Sequence, residues 1–318
     1  MRLRTFLAAR ALQAAAVLLL VPLLTFLLLS CAPGDLLSEL AANPQISSST
    51  LAQLRLEYGL DQPYYHQYAR WLGGLLSGQL GYSFVYQRPV AELIGPRIGH
   101  TVLLNALALA VAWLGGLLLG LWGGVARHPA TRWLVGAVAT LLLSTPPVLL
   151  ALLLLASAAT FGLPAGGMTT PGRDTATFAD VARHLLLPVL AVASVWLPVV
   201  IRHTATSVWQ ALAAPFIRTA QAKGVSRSRI LLRHALPNAW NPLATLFGFS
   251  VSSLLSASLL VEVVMSWPGM GQLMVDAVLR RDLFLVVDLA VFSAFLLLAG
   301  NLIGDLLLYL SDPRTEPE

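Results

Sequence analysis

Residues 215–242, PFIRTAQAKGVSRSRILLRHALPNAWNP, form a basic, glycine-punctuated segment set between long apolar runs. It holds Arg218, Lys223, Arg227, Arg229 and Arg233 and no acidic residue. Loops of this charge are retained on the cytoplasmic side of a bilayer, so this segment orients everything around it. It is also longer and more patterned than a connector needs, which marks it as a docking surface for a cytoplasmic partner.

The rest of the chain supports a membrane reading. Hydrophobic residues make up 57% and charged residues 11%, whereas a soluble domain carries about 25% charged residues. The apolar residues come in runs that reach the roughly 20 residues a helix needs to cross a bilayer. Six spans are expected, at residues 11–30, 101–125, 133–161, 184–201, 242–264 and 283–310. The expected fold is all-α, a single transmembrane domain over residues 1–318. Pro146, Pro147, Pro188 and Pro198 lie inside spans. Neighbouring helices must re-satisfy the backbone groups they free. They predict bent helices, either around a pathway or as kinked structural elements.

With the N-terminus inside, segments 1–10, 126–132 and 202–241 face the cytoplasm and carry eleven basic and no acidic residues. The tail 311–318 is then also cytoplasmic, and residues 32–100 form the periplasmic segment. In that outer segment, Thr50 to Gln53 read as a capping box opening a short helix, which Gly59 can end. Asp61-Gln62-Pro63 opens a second helix with Tyr64, Tyr68, Trp71 and Leu75 on a helical stripe. That stripe is either an in-plane, gate-capping element or an aromatic anchor. Cys31 follows an Arg-rich start and an apolar core, and is read as the outer end of a retained helix rather than a lipoprotein cleavage site.

Catalytic constellations are missing from the sequence. The only lysine, Lys223, is followed by Gly224, so no Gly-Lys-Ser/Thr phosphate loop exists. The six histidines are scattered, and there is no Gly-x-Ser-x-Gly. His184, Asp180 and Arg183 cluster at a span end without a nucleophile, which argues against a membrane-embedded enzyme. Ion-coupled carriers keep ionisable residues at mid-membrane, and the first five spans have none away from their ends. Glu262 sits near the outer end of the fifth span; Asn301, Asp305 and Tyr309 share a face of the sixth that is suited to packing. A self-contained carrier or channel is therefore disfavoured, and energy enters through the basic loop. Asn105, Ser144, Thr145, Trp196 and Asn241 are candidate pathway-lining residues, with helix-packing glue as the alternative for each.

The basic loop resembles the cytoplasmic motif Glu-Ala-Ala-x3-Gly-x9-Ile-x-Leu-Pro of binding-protein-dependent ABC importers. Ala220, Gly224, Leu236 and Pro237 agree with it; Arg218, Thr219 and His234 replace the glutamate, first alanine and isoleucine. Arg-Thr-Ala with Ala222-Lys223-Gly224 is similar to the variant of the peptide-transporter branch. Pro33-Gly34-Asp35, the run Tyr58 to Pro63, Gln67 to Leu72, Gly81 to Phe84, Arg88 to Val90, Leu163 to Gly167, Trp267 to Gly271, Arg281-Asp282 and Asp312-Pro313-Arg314 resemble that branch in order.

The resemblance implies a type I ABC importer transmembrane domain, the first of two homologous permease chains of a dipeptide, oligopeptide or nickel-type system. Its cargo would be peptides, with metal chelates or oligosaccharides as alternatives. It implies partners: a second permease in a heterodimer, two cytoplasmic P-loop ATPases, and an extracytoplasmic binding protein. No cofactor is implied in this chain, ATP being bound by the partners, and no nucleic acid. It further implies a coupling helix from Leu212 to Lys223 ended by Gly224. Phe216, Ile217 and Ala220 would be its docking face, and Arg218 and Lys223 its rim.

Overall fold

The computed structural model describes residues 3–31, 47–59, 61–83, 85–172 and 177–311. In chain order the helices are α1 (Leu3–Cys31), α2 (Ser48–Tyr58), α3 (Tyr64–Leu76), α4 (Val90–Val125), α5 (Pro129–Ser144), α6 (Pro147–Ala158), α7 (Phe178–Ala193), α8 (Leu197–Ala213), α9 (Pro215–Ala222), α10 (Arg227–Ile230), α11 (Leu236–Val264), α12 (Met270–Leu279) and α13 (Leu283–Ser311). A hairpin of two short strands, Tyr82–Ser83 and Arg88–Pro89, precedes α4. A 3-10 turn at Ala159–Phe161 extends α6, and a π turn at Leu231–Ala235 joins α10 to α11.

Helices α1, α4, α11 and α13 are each long and apolar enough to cross a membrane. Two bent pairs are apolar enough to span when each is taken together: α5 with α6 and its turn, bent by 102°, and α7 with α8, bent by 56°. The six spans expected from the sequence correspond to these four helices and, where each bent pair counts as one span, the two pairs. The first bend falls at Thr145-Pro146, where Thr145 is extended at φ −98° and ψ 117°. The second falls at 194–196, with Pro198 in the first turn of α8. Proline is at home in a first turn, where its missing N–H has no partner to lose.

Several helix boundaries differ from the sequence reading, most of them starting earlier: α1 at Leu3, α5 at Pro129, α7 at Phe178 and α11 at Leu236. Helix α4 starts at Val90, so residues 90–100 belong to the second-span helix rather than to the outer segment. At 36 residues it runs about 54 Å, well beyond the ~30 Å hydrocarbon core. Helix α2 begins at Ser48, which puts Thr50 inside it rather than at its cap. Helix α8 continues to Ala213, past the expected inner end of the fourth span. Gly59, at φ +65°, does end α2, and Pro63 does precede α3. Residues 33–35 and 312–314 lie outside the described residues.

The chain divides into two compact units, Met1–His100 with Gly269–Leu298, and Thr101–Pro268 with Ala299–Glu318. In the first, Val90, Ile94, Met270, Leu273, Leu285 and Leu289 form one core cluster. Phe26, Trp71, Val287 and Val291 form another. The α3 aromatic stripe therefore anchors onto α1 and α13: Trp71 and Tyr68 meet the Phe26 ring edge-on, and the Tyr68 hydroxyl donates to the Leu19 carbonyl at 3.1 Å. Asp282, fully buried, accepts from Ser83 and from the Leu285 N–H in the first turn of α13. Burial pushes its carboxyl above the usual carboxylate range, against the lowering effect of these hydrogen bonds.

In the second unit the core gathers Leu104, Ala108, Leu185, Val192, Leu254, Val261 and Trp267. Helix α4 closes on α8 through glycines one turn apart. A Cβ on Gly116, Gly120 or Gly124 would meet Val200, Thr204 or Val208 respectively at 2.6–3.0 Å. Small residues at such seams let helix backbones approach. Gly120→Leu, whose Cβ would also lie 2.7 Å from the Ile201 carbonyl, is expected to destabilise by about 1–3 kcal/mol or more. Gly99→Ala, with nothing within 4 Å, should leave stability unchanged; melting of the detergent-solubilised protein compares the two.

Candidate functional site

The segment between α8 and α11 is built by backbone chemistry readable residue by residue. Pro215 disfavours helical angles at the residue before it, and Ala214 sits at φ −66° and ψ 149°. The expected helix Leu212–Lys223 is thus two helices: Leu212 belongs to α8, and α9 starts afresh at Pro215. The Thr219 hydroxyl reaches back to the Pro215 carbonyl at 3.5 Å. At the other end Gly224 adopts φ +73°. Its N–H donates to the Gln221 carbonyl at 2.9 Å, and the Val225 N–H donates to the Ala220 carbonyl at 3.2 Å. This is a Schellman termination, which requires a left-handed residue where Gly224 stands.

Neighbouring positions on a helix do not face the same way, and α9 separates two residues the sequence reading had grouped. Ile217 is 0% exposed, buried in its own chain, whereas Phe216 is 45% exposed. Ile217 is therefore the seat of α9, not part of an outward docking face. Ala220 is half-buried; Arg218, Thr219 and Lys223 are exposed, as are Leu236 and Pro237 at the start of α11. Sequence reasoning missed Leu232, 62% exposed on the π turn beyond α9.

The polar groups of the spans are mostly engaged in packing. Helices α4 and α11 run antiparallel with hydrogen-bonded rungs. Thr101 donates to Glu262 at 2.7 Å, the Asn105 amide to Ser258 at 2.8 Å, and the Trp113 indole to Ser250 at 2.9 Å. Asn105 is thus buried in a seam, with its second amide hydrogen on the Thr101 carbonyl. Ser144 and Thr145 sit at the α5–α6 bend, the Thr145 hydroxyl returning to the Leu141 carbonyl at 2.8 Å. Trp196 lies at the α7–α8 bend with its indole N–H buried and without a partner among the described residues. The side chain of Asn241 is outside the described residues, as is that of Tyr309.

The cluster weighed in the sequence, Asp180 with His184, resolves as structural. Asp180 accepts from the Thr170 N–H at 2.8 Å and its hydroxyl at 2.6 Å, closing the loop before α7 onto that helix. His184 Nδ1 lies 2.9 Å from the Asp180 carbonyl; among the described residues no hydroxyl is hydrogen-bonded to the imidazole as a nucleophile would need. In the first unit the Trp71 indole donates to Asp288 at 2.7 Å.

Comparison with known proteins places this geometry. Residues 116–317 match the family described as "Binding-protein-dependent transport system inner membrane component". The chain belongs to this family. Residues 3–105 match its companion "Binding-prot-dependent transport system membrane comp, N-term". The oligopeptide transport system permease protein AppB of Bacillus subtilis (strain 168) is 34% identical over 312 residues, covering 96% of this chain and 98% of the relative. The glutathione transport system permease protein GsiC of Escherichia coli O6:H1 is 34% identical over 291 residues, covering 91% and 92%. Among solved structures, an inward-facing MetNI methionine ABC transporter matches with a TM-score of 0.56 at 15% identity, over 69% of this chain and 96% of that one. An amino acid ABC transporter matches at 0.51, also at 15% identity, over 69% and 94%. The fold is that of a type I ABC importer transmembrane domain. As a family member the protein is a multi-pass inner-membrane permease, a transport component rather than an enzyme, and it works with ATPase and binding-protein partners.

Trp71→Phe is expected to destabilise by about 1–3 kcal/mol, because it removes the donor to a buried carboxylate. Asp288→Asn keeps an acceptor and should cost less. Asn105→Ala and Ser258→Ala should couple by about 0.5–1.7 kcal/mol in a double-mutant cycle, read by unfolding in mixed micelles.

Proposed function

We propose that the chain forms half of the translocation pathway of an ATP-driven importer of di- or oligopeptides, opposite a second, homologous permease chain. Both termini would be cytoplasmic, and residues 202–241 would be the coupling loop. The peptide reading is supported by relatives that transport oligopeptides and glutathione, itself a tripeptide. ATP would be bound and hydrolysed by the partner subunits, with no cofactor in this chain. The observation that carries the coupling assignment is α9 itself: a short helix held by Ile217 from within, closed at both ends, with Phe216 outward and Arg218 and Lys223 around it. Such a helix suits a groove in a cytoplasmic ATPase. ATPase closure would then move the spans as rigid bodies between inward- and outward-open states. Ser144, Thr145 and Trp196, at the two bends, are the remaining pathway candidates.

Phe216→Asp should abolish transport and weaken ATPase association about thirtyfold, as loss of an interface anchor does, while the chain inserts normally. Gly224→Asp should act alike by spoiling the left-handed terminus. Ile217→Asp should instead disrupt the loop and increase its proteolysis. Normal transport by Phe216→Asp would overturn the coupling role. Recovery of a P-loop ATPase and a second six-span chain in a gentle pull-down would support the assembly. Orientation is read by thiol labelling: Cys31 should react with an impermeant maleimide on cells whose outer membrane is opened, and Lys223→Cys only after the inner membrane is permeabilised.

A further inference from the structure

The second unit carries two cavities whose chemistry the coupling loop and the polar seams do not use. One, of about 290 Å³, lies where the end of α4 meets α5 and α8, with Gly124, Arg132, Gly136, Arg202, Thr206 and Trp209 on its walls. The other, of about 360 Å³, shares Arg202 and Thr206 and continues to His203, Val199 and Leu143. Helices α5 and α8 run antiparallel here, since Val135 and Ala139 pack on Ile201 and Leu197. Together the cavities follow the α5–α8 seam from a basic end to an apolar one.

Among the described residues the basic end has no counter-charge beside it. Arg132 and Arg202 are exposed, and neither guanidinium has a hydrogen-bond or ion-pair partner among the described residues. Residues 93–173 and 181–261, which include all of α5, α7 and α8 past Asp180, contain no Asp or Glu. An uncompensated guanidinium pair beside apolar walls calls for an anion from outside, and Arg forks match phosphate oxygens. The Thr206 hydroxyl adds a donor. Trp209, 54% exposed, is the residue type that sits at the headgroup level. Leu143 and Val199 then offer an apolar path toward the membrane interior, which a free anion does not need but an acyl chain does.

We propose that this seam binds an anionic phospholipid of the inner leaflet, with its phosphodiester between Arg132 and Arg202 and an acyl chain along Val199 and Leu143. Basic pockets between transmembrane helices on the cytoplasmic side are suited to such headgroups. Only the leaflet rests on the orientation proposed above, and thiol labelling tests that separately. Lipid retention in detergent does not depend on orientation.

The test is native mass spectrometry of the purified, assembled importer after exchange into phosphatidylglycerol or phosphatidylcholine. Wild type should retain phosphatidylglycerol and release phosphatidylcholine. Arg132→Gln and Arg202→Gln should each lower phosphatidylglycerol occupancy about fivefold, in keeping with the interaction of one basic residue with an anionic surface. Gly136→Leu provides a charge-neutral block, because a Cβ there meets nothing within 4 Å and the side chain fills the cavity; it should lower occupancy as much. A melting curve matching wild type separates loss of lipid from loss of fold. Equal retention of both lipids, unchanged occupancy in all three variants, or no lipid on the assembled wild type would overturn the proposal. So would displacement of the lipid by inorganic phosphate alone, which would mark a free-phosphate site.

Discussion

Helices inside a bilayer gain little from hiding apolar side chains against one another, because lipid tails are as apolar as leucine. What holds them must be close approach or polar pairing, and this chain uses both within its second unit. Glycines at one-turn spacing bring α4 onto α8 until a single added Cβ would strike the Ile201 carbonyl. On another seam α4 meets α11 through Thr101 with Glu262, Asn105 with Ser258, and Trp113 with Ser250. Gly248 and Gly304 repeat the first device where α11 meets the end of α13. The first unit is anchored differently, by an aromatic helix: Trp71 packs on Phe26 and donates to Asp288.

These packing demands explain where ionisable groups are allowed. Glu262, Asp282 and Asp288 have no exposed surface, and each is hydrogen-bonded to a residue distant in sequence. Buried carboxylates without partners are costly, so they mark structural joints. The basic groups follow the opposite rule. Arg132, Arg202, Arg218 and Lys223 stay exposed.

The segment around α9 shows how a local signal can place the ends of a helix and still misjudge its face. Pro215 and Gly224 bound the helix as proline and glycine chemistry requires. Grouping Phe216 with Ile217 ignored the 100° step between adjacent helical residues, and only packing chose which of the two turned inward. The outer segment repeats the lesson. The helical spacing of Tyr64, Tyr68 and Trp71 marked a helix with an aromatic stripe, but packing turned Tyr68 and Trp71 onto α1 and left Tyr64 exposed.

Composition, apolar run length and the charge of the loops by themselves determined a multi-pass membrane chain, because the bilayer imposes its length and polarity on every crossing. The ordered motifs determined the transport family. Only the tertiary structure decided that two apolar helix pairs are sharply bent and that the α4 helix begins at Val90. The same is true of Asn105, which serves a helix seam, and of Arg132 and Arg202, which meet over one cavity. Those outcomes depend on which surfaces distant segments present to each other, and hydropathy along one strand of sequence carries no record of that.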